Sequence, residues 1–353
     1  MRDVRRRTRL PPLFAGDRCV RCARHRRGRR IIGAPVAAAR GCRAVPHGVA
    51  HPVLTETILA HPAEHLTEDE RRHYFAQGYV ALADAIPSAW TEKLRAATRE
   101  LVEQSRQCTS SDQMFELEAG HSASTPRLHR VYSPQDHHPA FWEFICSEEM
   151  TALAADVVGP DVKFHHAKLN LKSARGSRGF AWHQDIQAWP HTDYSPVTVG
   201  VYIDGCDADQ GPLAMIRGSH LGKLYSLYDE DGGFAVRIAP DEMTWLEDEM
   251  VDAPTGPAGT TVLLGCRTIH GSLRNQSDRD RPLLLVVYSS ADSFAYTASP
   301  IASPRLGEIV RGQPARFASF DTRRCELPPD WAREGYGSPW RRQRAGEQAS
   351  VTK

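Results

Sequence analysis

Apolar positions fall into three regimes along the chain. Residues 1–60 are rich in Arg, Ala, Gly and Pro, with little periodicity and few large apolar side chains. Such a stretch cannot bury enough surface to offset its ordering entropy, so disorder is expected until a pattern begins near residue 54. From Leu66 the spacing becomes helical. Thr67 with Glu70 three residues on reads as a capping box opening a helix to about Gln77. Gly78 ends it, and Tyr79-Val80-Ala81-Leu82 reads as a short strand. A second helix is predicted from about Ala89 to Gln107, with apolar residues at 90, 94, 97, 101 and 102. A third is predicted from about Pro139 to Val158, ended by Gly159-Pro160. From Val162 onward short alternating runs predict strands at 162–172, 179–183, 196–204, 212–217, 236–240, 260–265 and 282–291. Many short strands after a helical run predict a mainly β protein with flanking helices (α+β), its strands closing as a sandwich or barrel. One domain is expected over 61–335, with 336–353 a disordered tail.

Charge divides the chain at the same place. Residues 1–50 hold 14 of the 44 basic residues, all arginine, against two of the 43 acidic ones, Asp3 and Asp17. The remainder is therefore acidic by about 11 charges. Any polyanion affinity belongs to the arginine-rich segment, and the folded part is expected to have no nucleic-acid partner. Cys19-x-x-Cys22 with His25 and Cys42 lacks a second ligand pair, which argues against a zinc knuckle. An organelle-targeting presequence, or a mis-assigned translation start with the true one at Val49 or Val53, are the other readings of this segment. The eight cysteines are scattered, as expected of reduced thiols in a cytoplasmic protein. No run approaches the eighteen or so apolar residues that cross a bilayer, so no membrane association is expected.

The candidate chemistry lies in the strand-rich part. In Trp182-His183-Gln184-Asp185, positions 183 and 185 share one face of a strand, so an imidazole and a carboxylate converge. His270 follows the apolar strand Thr260–Gly265 and offers a third ligand. Two neutral imidazoles and one carboxylate on one side of a metal leave positions open for a bidentate co-substrate and dioxygen. That is the facial triad of non-haem Fe(II) oxygenases. Arg281 opens the next strand, eleven residues after His270. A guanidinium there can grip the distal carboxylate of 2-oxoglutarate while the keto-acid end chelates iron.

Taken together, His183-Gln184-Asp185, Gln210-Gly211-Pro212-Leu213, Gly218-Ser219-His220 and His270-Gly271-Ser272 with Arg281 resemble the phytanoyl-CoA dioxygenase family over about 65–295. The resemblance implies a double-stranded β-helix (jelly-roll) core and the use of Fe(II), 2-oxoglutarate and O2. Trp182-His183-x-Asp185 with Trp189 and Pro196 is similar to the bacterial ectoine-hydroxylase subgroup. On that resemblance Asn170, Lys172, Ser272 and Tyr202 fall on co-substrate positions, and Trp189 and His166 on substrate positions. Lys168, Asn170 and Lys172 alternate, so one sheet face presents all three inward. Departures at Gln184, Ile186 to Ala188, Pro190, His166 and Tyr202 argue against ectoine as substrate.

The expectation is therefore a hydroxylase of a small-molecule metabolite, an amino acid or a natural-product intermediate, releasing succinate and CO2 and working as a monomer or homodimer. Asp185 favours hydroxylation over halogenation, because halogenases of this kind have no carboxylate at that position. The alternatives are an iron-dependent desaturase or cyclase on the same scaffold, and a non-redox cupin-type metal protein such as an isomerase or binding protein.

Overall fold

The computed structural model describes residues 52–83, 85–176 and 179–334. Its helices are α1 (Pro52–Leu59), α2 (Glu68–Gln77), α3 (Ser88–Ser105), α4 (Pro134–His137), α5 (Pro139–Ile145), α6 (Glu148–Val158) and α7 (Trp331–Glu334). Its strands are β1 (Tyr79–Leu82), β2 (Phe115–Leu117), β3 (Leu128–Tyr132), β4 (Val162–Lys172), β5 (Phe180–His183) and β6 (Val197–Tyr202). They continue with β7 (Leu213–Ile216), β8 (Val251–Asp252), β9 (Thr261–Gly265), β10 (His270–Ser272), β11 (Arg281–Ser290) and β12 (Ile309–Arg311).

The strands form two antiparallel sheets. The larger runs β1-β9-β6-β11-β4-β3-β2, with β12 also paired to β4, and the smaller runs β5-β10-β7-β8. Strand alternation gives the large sheet two different faces. Leu169, Val199, Val201, Leu263, Leu284 and Val286 point outward, onto helix residues such as Leu94, Leu101, Phe141, Phe144 and Leu153. Tyr202, Val262, Leu264, Leu283 and Leu285 point the other way and pack on Leu213 and Met215 of the small sheet. A third cluster, built on Trp182, Trp189, Ile216, Phe234 and Trp331, closes the far side of the small sheet.

Local signals account for the element ends. The Glu70 amide donates to Thr67 Oγ1 at 3.2 Å and the Thr67 amide to the Glu70 carboxylate at 2.7 Å, so the capping box forms. Gly78 stops α2 at φ 86°, where a Cβ would fall 2.5 Å from Thr268 Oγ1. The Arg71 guanidinium ties this corner down by donating to the carbonyls of Ile58 (2.7 Å), His61 (2.8 Å) and Asp156 (2.9 Å).

The structure departs from the sequence reading in several places. The helix predicted over Pro139–Val158 is two helices, because the Ser147 hydroxyl accepts from the Met150 amide and two glutamates follow in the new first turn. The stretch 236–240 is not a strand. Val236 sits at φ 55°, and although the Ile238 amide reaches the Trp182 carbonyl at 2.8 Å, no ladder follows. Strands β2 and β3 were not anticipated, being three and five residues long. Helix α1 occupies the end of the segment expected to be disordered, with Ile58 buried. The Cys19/Cys22/His25/Cys42 group, both proposed start positions' upstream segment and the 336–353 tail lie outside the described residues. Among the described residues no helix is long and apolar enough to cross a membrane.

Candidate metal centre

Register alone brings the two histidines together. β10 pairs antiparallel with β5 so that His270 stands directly opposite His183, and the ring centroids lie 4.2 Å apart. Gly271 lets the strands close. A Cβ there would meet the Phe180 carbonyl oxygen at 2.7 Å, at the register irregularity between His270 and Ser272. Asp185 follows β5 by two residues, in a loop held by Gln184, which donates to the Arg267 carbonyl at 2.8 Å and accepts from the Tyr225 amide at 3.0 Å.

His183, Asp185 and His270 are all buried, and their ligand atoms lie within 4.8 Å of one another. Asp185 Oδ1 stands 3.7 Å from His183 Nε2 and 3.6 Å from His270 Nε2. Each imidazole Nδ1 faces a backbone carbonyl, Ala181 for His183 (2.8 Å) and Thr268 for His270 (2.9 Å). A proton on Nδ1 donates there and leaves the Nε2 lone pairs aimed at the centre. Burial holds His183 well below the usual histidine range, with the His270 charge adding to the effect. Burial also lowers His270, against the raising effect of Asp185. Both rings are thus neutral, the form that ligates. Asp185 Oδ2 accepts from the Thr198 hydroxyl at 3.2 Å, while Oδ1 is buried with no hydrogen-bond partner among the described residues. Two imidazole lone pairs and one bare carboxylate oxygen facing a common point fit a divalent cation.

A cavity of about 40 Å³ opens beside this triad, lined by Arg130, Lys168, Asn170, Phe180, His183, Leu213, His270, Gly271, Ser272, Arg281, Leu283 and Leu285. Arg281 enters it from the start of β11. One guanidinium nitrogen donates to the Gly211 carbonyl at 3.3 Å, while its Nε and Nη1, like Ser272 Oγ, are buried without hydrogen-bond partners among the described residues. Such donors are costly to bury unless an anion meets them. Asn170 reaches the cavity, but its Oδ1 accepts from Arg130 Nε at 2.6 Å. Lys172 stands opposite Arg281 in the β4–β11 register and donates to the Leu273 carbonyl. Burial, then the charge of Arg281, pulls Lys172 far below the usual lysine range.

The remaining predicted site residues sit behind this lining. The Tyr202 hydroxyl accepts from the Leu213 amide at 2.8 Å, and its ring lies 5.7 Å from the Arg281 guanidinium. Trp189 is buried, with the His166 ring 4.7 Å and the Lys168 ammonium 5.3 Å from its centroid. His166 Nδ1 faces His165 Nδ1 at 2.6 Å across the bulge in β4, and His166 Nε2 has no partner among the described residues. Sequence reasoning missed Arg130, because β3 was not foreseen, and Thr198, whose hydroxyl orients Asp185. The five residues Leu128-His129-Arg130-Val131-Tyr132 show no period that would have announced the first; the second had no signal either. A larger cleft of about 260 Å³, lined by residues including His191, Tyr194, Tyr296, Asp321 and Arg323, shares no residue with the triad cavity.

Residues 74–283 match the profile described as Phytanoyl-CoA dioxygenase (PhyH). The chain belongs to the phytanoyl-CoA dioxygenase family. Within this enzyme family it is 29% identical over 232 residues to a probable alpha-ketoglutarate-dependent hypophosphite dioxygenase of Stutzerimonas stutzeri, covering 64% of this chain and 79% of that protein. It is 25% identical over 256 residues to L-proline trans-4-hydroxylase of Streptomyces griseoviridis, covering 67% of this chain and 91% of the relative. Its fold resembles that of EctD from S. alaskensis, solved with 2-oxoglutarate and 5-hydroxyectoine, with a TM-score of 0.57 and 19% identity over 80% of this chain and 97% of that one.

Proposed function

We propose that this family member is an Fe(II)- and 2-oxoglutarate-dependent dioxygenase that hydroxylates a small-molecule metabolite, with succinate and CO2 as co-products. The observation that carries this reading is the buried triad, in which both Nε2 atoms and the bare Asp185 Oδ1 converge within 4.8 Å. His183, Asp185 and His270 would hold the iron. When bound, the iron supplies the activation of dioxygen that oxidises both 2-oxoglutarate and substrate.

The chain's own groups then have separable tasks. Arg281 and Ser272 offer three bare donors to the distal carboxylate of 2-oxoglutarate. Tyr202 supports the Arg281 guanidinium from one side, and Lys172 brings a second cation to that end of the cavity. Asn170 positions Arg130, while Trp189 and His166 border the substrate side. The two sheets are read as a double-stranded β-helix whose interior excludes water. The folded unit is read as a single domain over 61–335 in a cytoplasmic protein, with no nucleic-acid role for that unit. A non-redox cupin-type metal protein would leave the bare Arg281 and Ser272 donors without a purpose, which favours the oxygenase.

The test is spectroscopic. Under anaerobic conditions Fe(II) plus 2-oxoglutarate is expected to give the weak visible charge-transfer band of such a chelate at ~500 nm. No band, together with no 2-oxoglutarate turnover in air, would remove the reading.

A further inference from the structure

Strand β4 carries two adjacent histidines on its inner face, where regular alternation would separate them. Val287 pairs with His166 and Tyr288 with Phe164, so His165 is the extra residue of a bulge. Phe164 and Ala167, on either side, both join the outer apolar cluster, which leaves His165 and His166 together on the inward side. Both are buried, with their ring centroids 4.8 Å and their Nδ1 atoms 2.6 Å apart. At that separation one Nδ1 donates and the other accepts. A neutral imidazole carries a single ring proton. The ring that donates from Nδ1 therefore has a bare Nε2, and the ring that accepts has a protonated one. Both Nε2 atoms are buried without partners among the described residues. The pair thus holds one unmet acceptor and one unmet donor, each costly to bury until something meets it.

The surroundings choose between the two arrangements. The two nitrogens of an imidazole point away from each other, so each Nε2 is turned from the partner ring. The His166 ring lies 4.7 Å from that of Trp189, and Lys168, which lines the triad cavity, follows it by two residues on the same strand face. The His165 ring lies instead 4.9 Å from His191, which lines the larger cleft. The charges of both Lys168 and Arg130 act on His166, whereas the ammonium acting on His165 is that of Lys163. Burial holds Lys168 down to about 8, so it is still charged at neutral pH. A lone pair turned towards cations is favoured over an N–H turned towards them. His166 therefore donates from Nδ1 to His165 and keeps its Nε2 bare, while His165 carries its proton on Nε2.

Resting on the oxygenase reading, we propose that His165 is a positioning residue that holds His166 Nε2 as an acceptor on the substrate side, so that the substrate presents an uncharged hydrogen-bond donor there. A hydroxyl or a neutral N–H meets that lone pair. An ammonium would meet the like charge of Lys168. The bulge is the device that permits this, because only an extra residue puts a second imidazole beside the first on one face of the strand.

The experiment is nitrogen NMR on the full chain with 15N-labelled histidine, loaded with Zn(II) as a diamagnetic stand-in for iron and with 2-oxoglutarate. Bare and protonated ring nitrogens resonate far apart, and the His166 signals are those missing from His166→Gln. The expected result is a bare Nε2 on His166 and a protonated one on His165. Pyrrole and furan, two rings of one shape of which only pyrrole has an N–H, are then titrated in. Pyrrole is expected to move the His166 Nε2 resonance, and furan to leave it in place. In His165→Phe, which removes the acceptor for His166 Nδ1, a protonated His166 Nε2 is expected to appear and pyrrole to bind about tenfold more weakly. His165→Asn puts a carbonyl oxygen where Nδ1 stood and is expected to restore the bare Nε2, with pyrrole binding within about twofold of the unsubstituted chain. A protonated His166 Nε2 in the unsubstituted protein overturns the proposal, and that reading needs no variant. So does a His166 resonance that pyrrole leaves unmoved or that furan moves equally, or a tautomer unchanged in His165→Phe. Absence of the visible band with Fe(II) would sink the oxygenase reading separately, since the tautomers are read without iron.

Discussion

The two faces of β4 meet burial in opposite ways. Ala167, Leu169 and Leu171 join the helices in an apolar cluster, whereas His166, Lys168, Asn170 and Lys172 face the small sheet, and all seven are buried. The outer face gains from dispersion and from area removed from water, with no polar group to satisfy. The inner face carries ammonium, amide and imidazole groups that oppose folding unless something binds them. Beyond the bulge at His165 one strand thus stabilises the protein with its odd-numbered residues and equips it with its even-numbered ones.

Substitutions on each face should separate stability from chemistry. The largest effect is expected at the triad. Asp185→Ala removes the carboxylate ligand and is expected to lower substrate-dependent succinate release by about a thousandfold or more, with little change in melting temperature. A triad that merely braces the sheets would give the reverse result. Next is Phe144→Ala on the outer face, where the fully buried ring lies 5.2 Å from that of Trp90. Denaturant unfolding is expected to show a loss of about 3–5 kcal/mol, with the visible chelate band intact in the folded fraction. Arg281→Met should act on the inner face alone. It is expected to raise the half-saturating 2-oxoglutarate concentration by about 10–100-fold, and an unchanged value would mean another residue holds the carboxylate.

The smallest effect is a pH dependence that the apolar face cannot produce. His191, in the loop leading from the triad, is held down to about 4 by burial, against its hydrogen bond to the Trp189 carbonyl. The folded-state value lies below the unfolded one, so unfolding takes up a proton at this ring once the pH falls below about 6.5. Stability is therefore lost as pH is lowered through the window from 6.5 towards 4. Between pH 6.5 and 5.5 the loss from His191 is about 1 kcal/mol. The melting temperature of His191→Asn should fall less over that interval than that of the unsubstituted chain. Parallel slopes would show that this ring does not contribute.

Most of this contrast was legible in the sequence, in unequal measure. The alternation of Lys168, Asn170 and Lys172 announced an inward polar face, and the Thr67/Glu70 box and Gly78 marked α2 to the residue. Such signals are local and need only a few residues of chain to act. The break at Ser147 was readable in principle, since a serine followed by two glutamates opens a helix, but helical spacing on both sides masked it. Strand β3, with Arg130, was too short to show a period. The false strand at 236–240 had the right residues and no neighbouring strand to complete a ladder.

The sequence by itself determined the candidate ligand set, the His183-x-Asp185 pairing on one strand end, and the arginine eleven residues beyond His270, because residue type and short spacing specify these. Only the tertiary structure decided that His270 stands opposite His183, that Thr198 bonds to Asp185, and that Arg130 from β3 joins Lys168 and Arg281 around one cavity. Those facts depend on the register between strands distant in sequence. Register is set by the summed packing of both sheet faces, and no local pattern encodes it.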